Sequence, residues 1–314
     1  MLDTNISLYD LIVITGCTAT GKTSLAAQMA ARCNGEIISA DSRQVYKGMD
    51  IGTGKDRVDY HIDGKNIPVH LIDIVEPGYE YNVFEYQQDF FQAFQQIRRK
   101  KAQPIMCGGT GLYIEAALAK YRMLKVPENA SLRKQLQECT ISELEEKLKS
   151  LRSVHNTTDI TERNRLIRAI EIETYQKDHP GKRQLFPEFS TIIFATDYPR
   201  QIVRERITNR LKYRLENGMI NEIQQLLKNG LKPSQLEFYG LEYKYITQYL
   251  TGDLTYDEMF TKLNTSIHQF AKRQMTWFRR MERKGYKIHW IRGELNQEEK
   301  IQFMIKQIQQ KHKE

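Results

Sequence analysis

Near the start of the chain, Gly16-Cys17-Thr18-Ala19-Thr20-Gly21-Lys22-Thr23 fits the pattern G-x-x-x-x-G-K-[ST] in full. The chemistry of that pattern is anion binding. Its glycines let backbone N–H groups close round a phosphate, the lysine adds a point charge, and the hydroxyl that follows can ligate Mg²⁺. Residues 16–23 are therefore expected to bind a phosphate or diphosphate, with Mg²⁺ as cofactor and Thr23 as its protein ligand. The pattern does not name the reaction. Most loops of this kind hold nucleoside triphosphates, which makes a small-molecule kinase the default expectation. Asp41, a little further on, could serve as a base for a hydroxyl or an amine. A turn carboxylate or a helix cap accounts equally well for an aspartate at that position.

Such residues need a frame that brings strand ends together. Short apolar runs at 11–15, 36–40, 70–75, 104–107 and 191–196 read as strands, with a late strand at 287–291. Helical stretches at 24–33 and 83–100 lie between them. Strands alternating with helices indicate an α/β parallel-sheet core, and such sheets bind ligands beyond the carboxyl ends of their strands, where both the glycine-rich loop and Asp41 fall. The long gap before residue 191 reads as an inserted all-helical domain, 121–189, leaving the core as 1–120 and 190–314. Within it, Thr140-x-x-Glu143 has the form of a capping box ahead of Leu144, Leu148 and Leu151. Asp159-x-x-Glu162 gives a similar start, and Pro180-Gly181 and Pro187 punctuate the return.

Composition narrows the setting. Of 314 residues, 40% are hydrophobic and 27% charged, enough for a substantial core and not the make-up of a disordered chain. No stretch approaches the length of a membrane span, and residues 1–10 lack the basic start and apolar run of a signal peptide. Cys17, Cys33, Cys107 and Cys139 are widely spaced, as expected of reduced thiols in a cytoplasmic protein without a zinc site. The seven histidines show no metal-ligand spacing, and a net charge of +8 favours an acidic partner without identifying it.

Beyond the loop the residues become specific. Residues 37–53, beginning Ile37-Ile38-Ser39-Ala40-Asp41-Ser42-Arg43-Gln44, are followed by His70-Leu71-Ile72-Asp73-Ile74 and by Gly108-Gly109-Thr110-Gly111-Leu112-Tyr113. Arg165-Leu166-Ile167-Arg168 and Gln269-Phe270-Ala271-Lys272-Arg273-Gln274-Met275-Thr276-Trp277-Phe278-Arg279 come later. In that order these segments resemble the tRNA dimethylallyltransferase family over most of the chain. The resemblance implies a phosphate-loop core with a helical insert. The reaction it implies joins the allylic carbon of dimethylallyl diphosphate to the exocyclic amine of the adenine 3′ of the tRNA anticodon. It also implies Asp41 as the general base, Thr18 on the leaving diphosphate and Arg210 completing the site. Contacts to tRNA are implied at Asp41, Ser42, Arg43, Gln44, Thr110, Arg133, Arg165 and Arg168, in an enzyme acting as a monomer.

Two features bear on this independently. On a helix, Arg206, Arg210 and Arg214 share one stripe beside an apolar stripe of Val203, Ile207, Leu211 and Leu215, as the lining of a cleft requires, although a solvated basic edge has the same pattern. From residue 200 to 287 basic residues outnumber acidic ones by roughly two to one. There Lys272, Arg273, Arg279 and Arg280 surround Trp277 and Phe278, a mixture suited to RNA phosphates and bases. Phe270 and Trp277, seven apart, are expected to face the core. The chain departs from the family pattern at Cys17 and Thr20 in the loop, at Gly54-Lys55-Asp56 and at Gly240-Leu241-Glu242-Tyr243-Lys244. The rivals are an adenylate isopentenyltransferase acting on free AMP, a small-molecule kinase, and an RNA-binding protein with a vestigial loop.

Overall fold

A computed structural model of the chain describes residues 9–119, 123–151, 163–179 and 186–310. It divides into two compact units, Met1–Lys120 with Pro187–Glu314, and Tyr121–Phe186. The chain re-enters the larger unit at Pro187, ahead of the expected 190. The larger unit begins with β1 (Leu11–Gly16), α1 (Lys22–Cys33) and β2 (Gly35–Ser39), then a small hairpin of β3 (His61–Ile62) and β4 (Lys65–Asn66). β5 (Val69–His70), α2 (Val83–Arg99), β6 (Gln103–Cys107) and α3 (Gly111–Leu118) follow. The smaller unit holds α4 (Ala130–Gln137), α5 (Ile141–Leu151) and α6 (Arg163–Asp178). The larger unit resumes with β7 (Thr191–Asp197), α7 (Arg200–Arg214), a π-helical turn (Leu215–Met219), α8 (Ile220–Lys228), α9 (Pro233–Leu236) and α10 (Leu241–Leu250). It closes with α11 (Tyr256–Arg283), β8 (Ile288–Arg292) and α12 (Gln297–Gln309). None of the described helices is long and apolar enough to cross a membrane.

The main sheet runs β5-β2-β6-β1-β7-β8, every pairing parallel. β1 lies between β6 and β7 and is buried along its whole length, which is why it reads as an unbroken apolar run and not an alternating one. Ile12, Ile14, Ile37, Ile105 and Phe194 pack with Leu25 and Met29 of α1 and with Ile301, Met304 and Ile305 of α12. The carboxyl ends of β1, β2 and β6 thereby stand side by side. Gly108 sharpens this approach, because a Cβ there would stand 2.2 Å from the carbonyl oxygen of Ala40, the residue before Asp41. Ala40 donates its N–H to Cys107 at 2.7 Å and accepts from the Thr110 N–H at 3.1 Å, so the two strand ends are stitched directly beneath the site.

Two expectations are corrected. The run 70–75 is not a strand: β5 pairs only Val69 and His70 with Ile37 and Ile38. Leu71 and Asp73 then take left-handed backbone, with φ of 63° and 56°. The turn carries Asp73 to the buried ammonium of Lys55 at 2.5 Å and to Arg57, satisfying a charge that has no access to water. On α11 the buried face is Met259, Leu263, Ile267, Ala271, Gln274, Phe278 and Met281. Phe270, one position off that stripe, is 38% exposed, and Trp277 is half-buried, its ring lying where a Cβ on Gly111 would stand 2.3 Å away.

In the smaller unit Leu144 and Leu148 of α5 pack against Leu166, Ile167 and Ile170 of α6 and Leu136 of α4. Thr140 and Glu143 form the expected reciprocal cap: the Glu143 carboxylate accepts the Thr140 N–H at 2.6 Å, and the Thr140 hydroxyl accepts the Glu143 N–H at 3.3 Å. Asp159-x-x-Glu162 and Pro180-Gly181 lie outside the described residues. Glu171, 2% exposed, is the polar centre of this unit. It accepts from the Asn129 N–H at 2.5 Å, from Arg133 Nε at 3.1 Å and from Arg168, which also reaches the Val126 carbonyl at 2.9 Å.

Two outcomes follow from these contacts. Glu171→Ala leaves the Asn129 amide without its acceptor and takes from Arg133 and Arg168 the carboxylate they share, and should destabilise the helical unit by about 1–3 kcal/mol, read as lost hydrogen-exchange protection in α6. Burial alone would raise the Glu171 carboxyl, but the bonds from Arg133, the Asn129 amide and Arg168 outweigh it and hold the carboxyl below its ordinary 4.5. A depressed carboxyl stabilises above 4.5 and loses that contribution as pH falls through its folded value, so the unit should loosen at acid pH in the parent and not further in the variant. Gly108→Ala forces Ala40 backbone away and should cost about 1–3 kcal/mol in denaturant unfolding, with the Asp41 turn displaced.

Candidate active site

The turn between β1 and α1 is bound from three sides. Gly16, φ 144°, passes so close to β7 that a Cβ would meet the Thr196 hydroxyl at 2.4 Å. That hydroxyl donates to Thr20 Oγ1 at 2.8 Å, and Thr20 donates onward to the Cys17 carbonyl at 2.8 Å. Lys22 Nζ reaches back to the same carbonyl at 2.8 Å. From α7, Arg206 Nε donates to the Ala19 carbonyl at 2.8 Å, and Arg210 donates to Thr18 Oγ1. From α11, the Gln274 Oε1 accepts the Thr18 N–H at 2.8 Å. Gly21, φ 76°, makes the left-handed turn that starts α1 with Lys22 and Thr23 in its first turn.

Electrostatics favours an anion here. Burial lowers the Lys22 ammonium from its ordinary value, with Arg210 adding repulsion. Burial, with Arg214 adding repulsion, brings the Arg210 guanidinium down to about 10. Two half-buried cations beside one loop gain from any diphosphate placed between them. Cys17 and Cys107 are no rivals for the chemistry: burial raises both thiols, Cys107 to about 12, so neither is a thiolate at neutral pH.

Asp41 follows β2 on the same side. Its Oδ1 accepts the Arg43 N–H at 3.0 Å in a tight turn, and its charge is felt at both Lys22 and Arg210. Thr110, in the turn after β6, accepts the Ser42 N–H at 3.0 Å and donates to the Ser42 hydroxyl at 3.4 Å. The structure therefore brings Thr18, Asp41, Thr110 and Arg210 to one region. Arg43 lies with its guanidinium 5.3 Å from the Phe238 ring centre. Gln44, an expected RNA contact, is instead buried, accepting from Ser39 and donating to the Gly54 carbonyl at 3.0 Å. It shapes the turn from beneath.

The arginine stripe of α7 runs from solvent inward, with Arg206 exposed, Arg210 half-buried and Arg214 buried. Arg206 lies over the Tyr198 ring, and Arg214 is buried and paired with Asp56 at 2.9 Å. Arg210 and Arg214 line a pocket with Ile207, Leu211, Met219, Ile267 and Glu242, whose carboxyl burial raises. Glu242 belongs to the departure at 240–244, and its neighbour Tyr243 is wholly buried, donating to Glu222 at 2.7 Å. Glu222 in turn accepts the N–H groups of Asp50, Ile51 and Gly52 at 2.8, 2.7 and 3.1 Å. The other departure, at 54–56, supplies Lys55 to Asp50 and Asp73 and Asp56 to Arg214.

The expected RNA residues divide. Lys272, Arg273 and Arg279 are exposed along α11, and Arg165 is exposed on α6. Arg280 differs: it donates to the buried Glu115 at 2.8 Å, with its guanidinium 3.9 Å from the Trp277 ring centre, and Lys284 takes the other Glu115 oxygen. Arg133 and Arg168 are clamped on Glu171. Sequence reasoning passed over Gln274, Glu222 and Tyr243. Gln274 left a usable signal, an amide on an otherwise apolar helical stripe.

For Mg²⁺ the fit is one of donor chemistry. Thr23 offers a hard hydroxyl oxygen in the first turn of α1, and a bound diphosphate would bring hard oxygens of its own, the set Mg²⁺ accepts. Among the described residues no three His, Cys, Asp or Glu side chains converge as a metal cage.

Comparison with known proteins agrees with this arrangement. The family model for IPP transferase matches residues 44–281, and that for isopentenyl transferase matches residues 9–66. The chain is 55% identical to tRNA dimethylallyltransferase 2 of Bacteroides fragilis, covering 96% of this chain and 99% of the relative. It is 53% identical to tRNA dimethylallyltransferase 1 of Geotalea uraniireducens, over 91% and 93%. Among solved structures, the tRNA isopentenylpyrophosphate transferase of Bacillus halodurans superposes with a TM-score of 0.69 at 29% identity, covering 95% of each chain. A eukaryotic dimethylallyltransferase acting on tRNA shares the fold, with a TM-score of 0.70 at 24% identity over 90% of this chain and 73% of that one. With a family model spanning most of its length and relatives above half identical end to end, the chain belongs to the IPP transferase family, among the tRNA dimethylallyltransferases.

Proposed function

We propose that this enzyme transfers the dimethylallyl group of dimethylallyl diphosphate to the N6 amine of the adenine 3′ of the anticodon in tRNA, releasing diphosphate. The observation that carries the reading is the convergence of Arg210 on Thr18 with the Thr110-held turn that presents Asp41. A base and a diphosphate cradle on adjoining strand ends suit a displacement at carbon. The adenine nitrogen forms a bond to the allylic carbon, the carbon–oxygen bond breaks with its electron pair going to the diphosphate, and the amine proton passes to Asp41. The adenine amine needs such a base because its lone pair is delocalised into the ring. Lys22, Thr18 and Arg210 take up the charge developing on the leaving group. Mg²⁺, held by Thr23 and the diphosphate, would supply further positive charge there. Ser42, Arg43 and Thr110 would meet the tRNA beside the base, Arg165 with Arg133 and Arg168 would meet it from the insert, and Lys272, Arg273 and Arg279 from α11. The reading includes a monomer working in the cytoplasm, supported for the compartment by four unpaired cysteines.

Incubation with unmodified tRNA, AMP and dimethylallyl diphosphate in Mg²⁺, followed by mass spectrometry of both acceptors, tests this directly. Prenyl on tRNA adenine supports it; prenyl on AMP alone favours the free-nucleotide rival, and phosphoryl transfer in a parallel incubation with ATP would favour the kinase. Asp41→Asn should bind tRNA normally while turnover falls by about 10²–10⁴. Near-parental turnover in a folded variant would remove Asp41 from the role of base. Replacing Lys272, Arg273 and Arg279 with alanine should weaken tRNA binding and flatten its dependence on salt, because each lost phosphate contact removes about 0.7–0.9 of a released counterion. An unchanged salt slope would make this helix face solvent alone.

A further inference from the structure

α11 carries one amide on its buried face. Gln274 is 7% exposed, between Ala271 and Phe278. A side-chain amide in that setting is costly unless both ends find partners. Both do: Oε1 accepts the Thr18 N–H at 2.8 Å, and Nε2 donates to the Gly109 carbonyl at 2.9 Å. The partners belong to different halves of the site. Thr18 sits in the phosphate loop, while Gly109 precedes Thr110, which holds the Ser42 amide next to Asp41. Gly109 has to lack a side chain for this, since a Cβ would stand 2.4 Å from Nε2.

We propose that Gln274 is a positioning residue, a strut between the phosphate loop and the turn after β6 that sets the spacing of donor and base. The proposal rests on the prenyl-transfer reading above. The two ends ask for different things: the loop end needs an acceptor and the turn end needs a donor, 2.8 and 2.9 Å away, and a neutral amide supplies both. An ionised carboxylate keeps the first contact and opposes the second; a thioether offers a weak acceptor at best and no donor. Without the strut the Thr18 amide is freed within the loop and the base-bearing turn can drift from it, which penalises the transition state far more than tRNA binding.

Gln274→Met and Gln274→Glu separate spacing from packing, because both conserve length. Gln274→Met should lose roughly 10–100-fold in kcat/KM for dimethylallyl diphosphate, the consequence of two unmade buried hydrogen bonds, with tRNA affinity unchanged. Gln274→Glu should be impaired when its carboxylate is ionised. Its rate relative to the parent should climb as pH falls through the carboxyl titration, because the protonated acid again donates at one end and accepts at the other. The Gln274→Met ratio should stay flat over the same range. Parental kinetics in both variants, or equal losses with no pH recovery in Gln274→Glu, would overturn the strut. If the parent itself transfers no prenyl group to tRNA, the functional reading fails separately. The strut is then judged on inorganic diphosphate affinity, where pH-dependent recovery in Gln274→Glu supports it and its absence overturns it.

Discussion

Lys22 and Arg210 set the terms for the larger unit. Both are half-buried cations at the end of a parallel sheet, and burial lowers the proton affinity of each. A fold tolerates that only where backbone carbonyls, hydroxyls or a ligand take the place of water. The Cys17 carbonyl faces Lys22, and the Thr18 hydroxyl faces Arg210. Those contacts require the loop to hold its shape, and so they require Gly16 against Thr196, Thr196 on Thr20 and α7 alongside. The sheet order then matters for chemistry, because β1 lies next to β6 and β6 next to β2, which brings Asp41 within electrostatic reach of the same cations.

Elsewhere in the chain three buried charges sit in closed ionic groups. Glu115 takes Arg280 and Lys284, Lys55 takes Asp50 and Asp73, and Glu171 takes Arg133 and Arg168. Each is satisfied by its own neighbours, so removing one partner damages structure before it damages catalysis. The phosphate loop differs in kind: its cations rest against neutral oxygens, and a bound diphosphate would be their first full counter-charge within hydrogen-bonding range.

Much of this was legible in the amino-acid order. The loop motif, the apolar runs of β1, β2, β6 and β7, the capping box of α5 and the apolar stripe of α7 follow from local rules, and the structure has them. Asp41 could be assigned to a strand end by pattern, though the bond from the neighbouring Ser42 amide to Thr110 could not, because parallel neighbours are distant in sequence. The run 70–75 misled because apolar content says nothing of a buried lysine fifteen or more positions away that needs Asp73. Basic residues misled in a similar way. Arg280 and Lys272 look alike in sequence, and only the buried carboxylate of Glu115 turns one of them inward.

Cys17 occupies a place in the phosphate loop where the family pattern has proline, and a thiol there invites the thought of redox control. Its surroundings argue the reverse. The side chain is 3% exposed, and burial keeps the thiol protonated. Alkylating agents and peroxides attack the thiolate and need access to it. In chemical temperament the loop is thus as inert as one built with proline, and the exchange swaps one way of filling space for another while leaving the enzyme no oxidative brake at its centre.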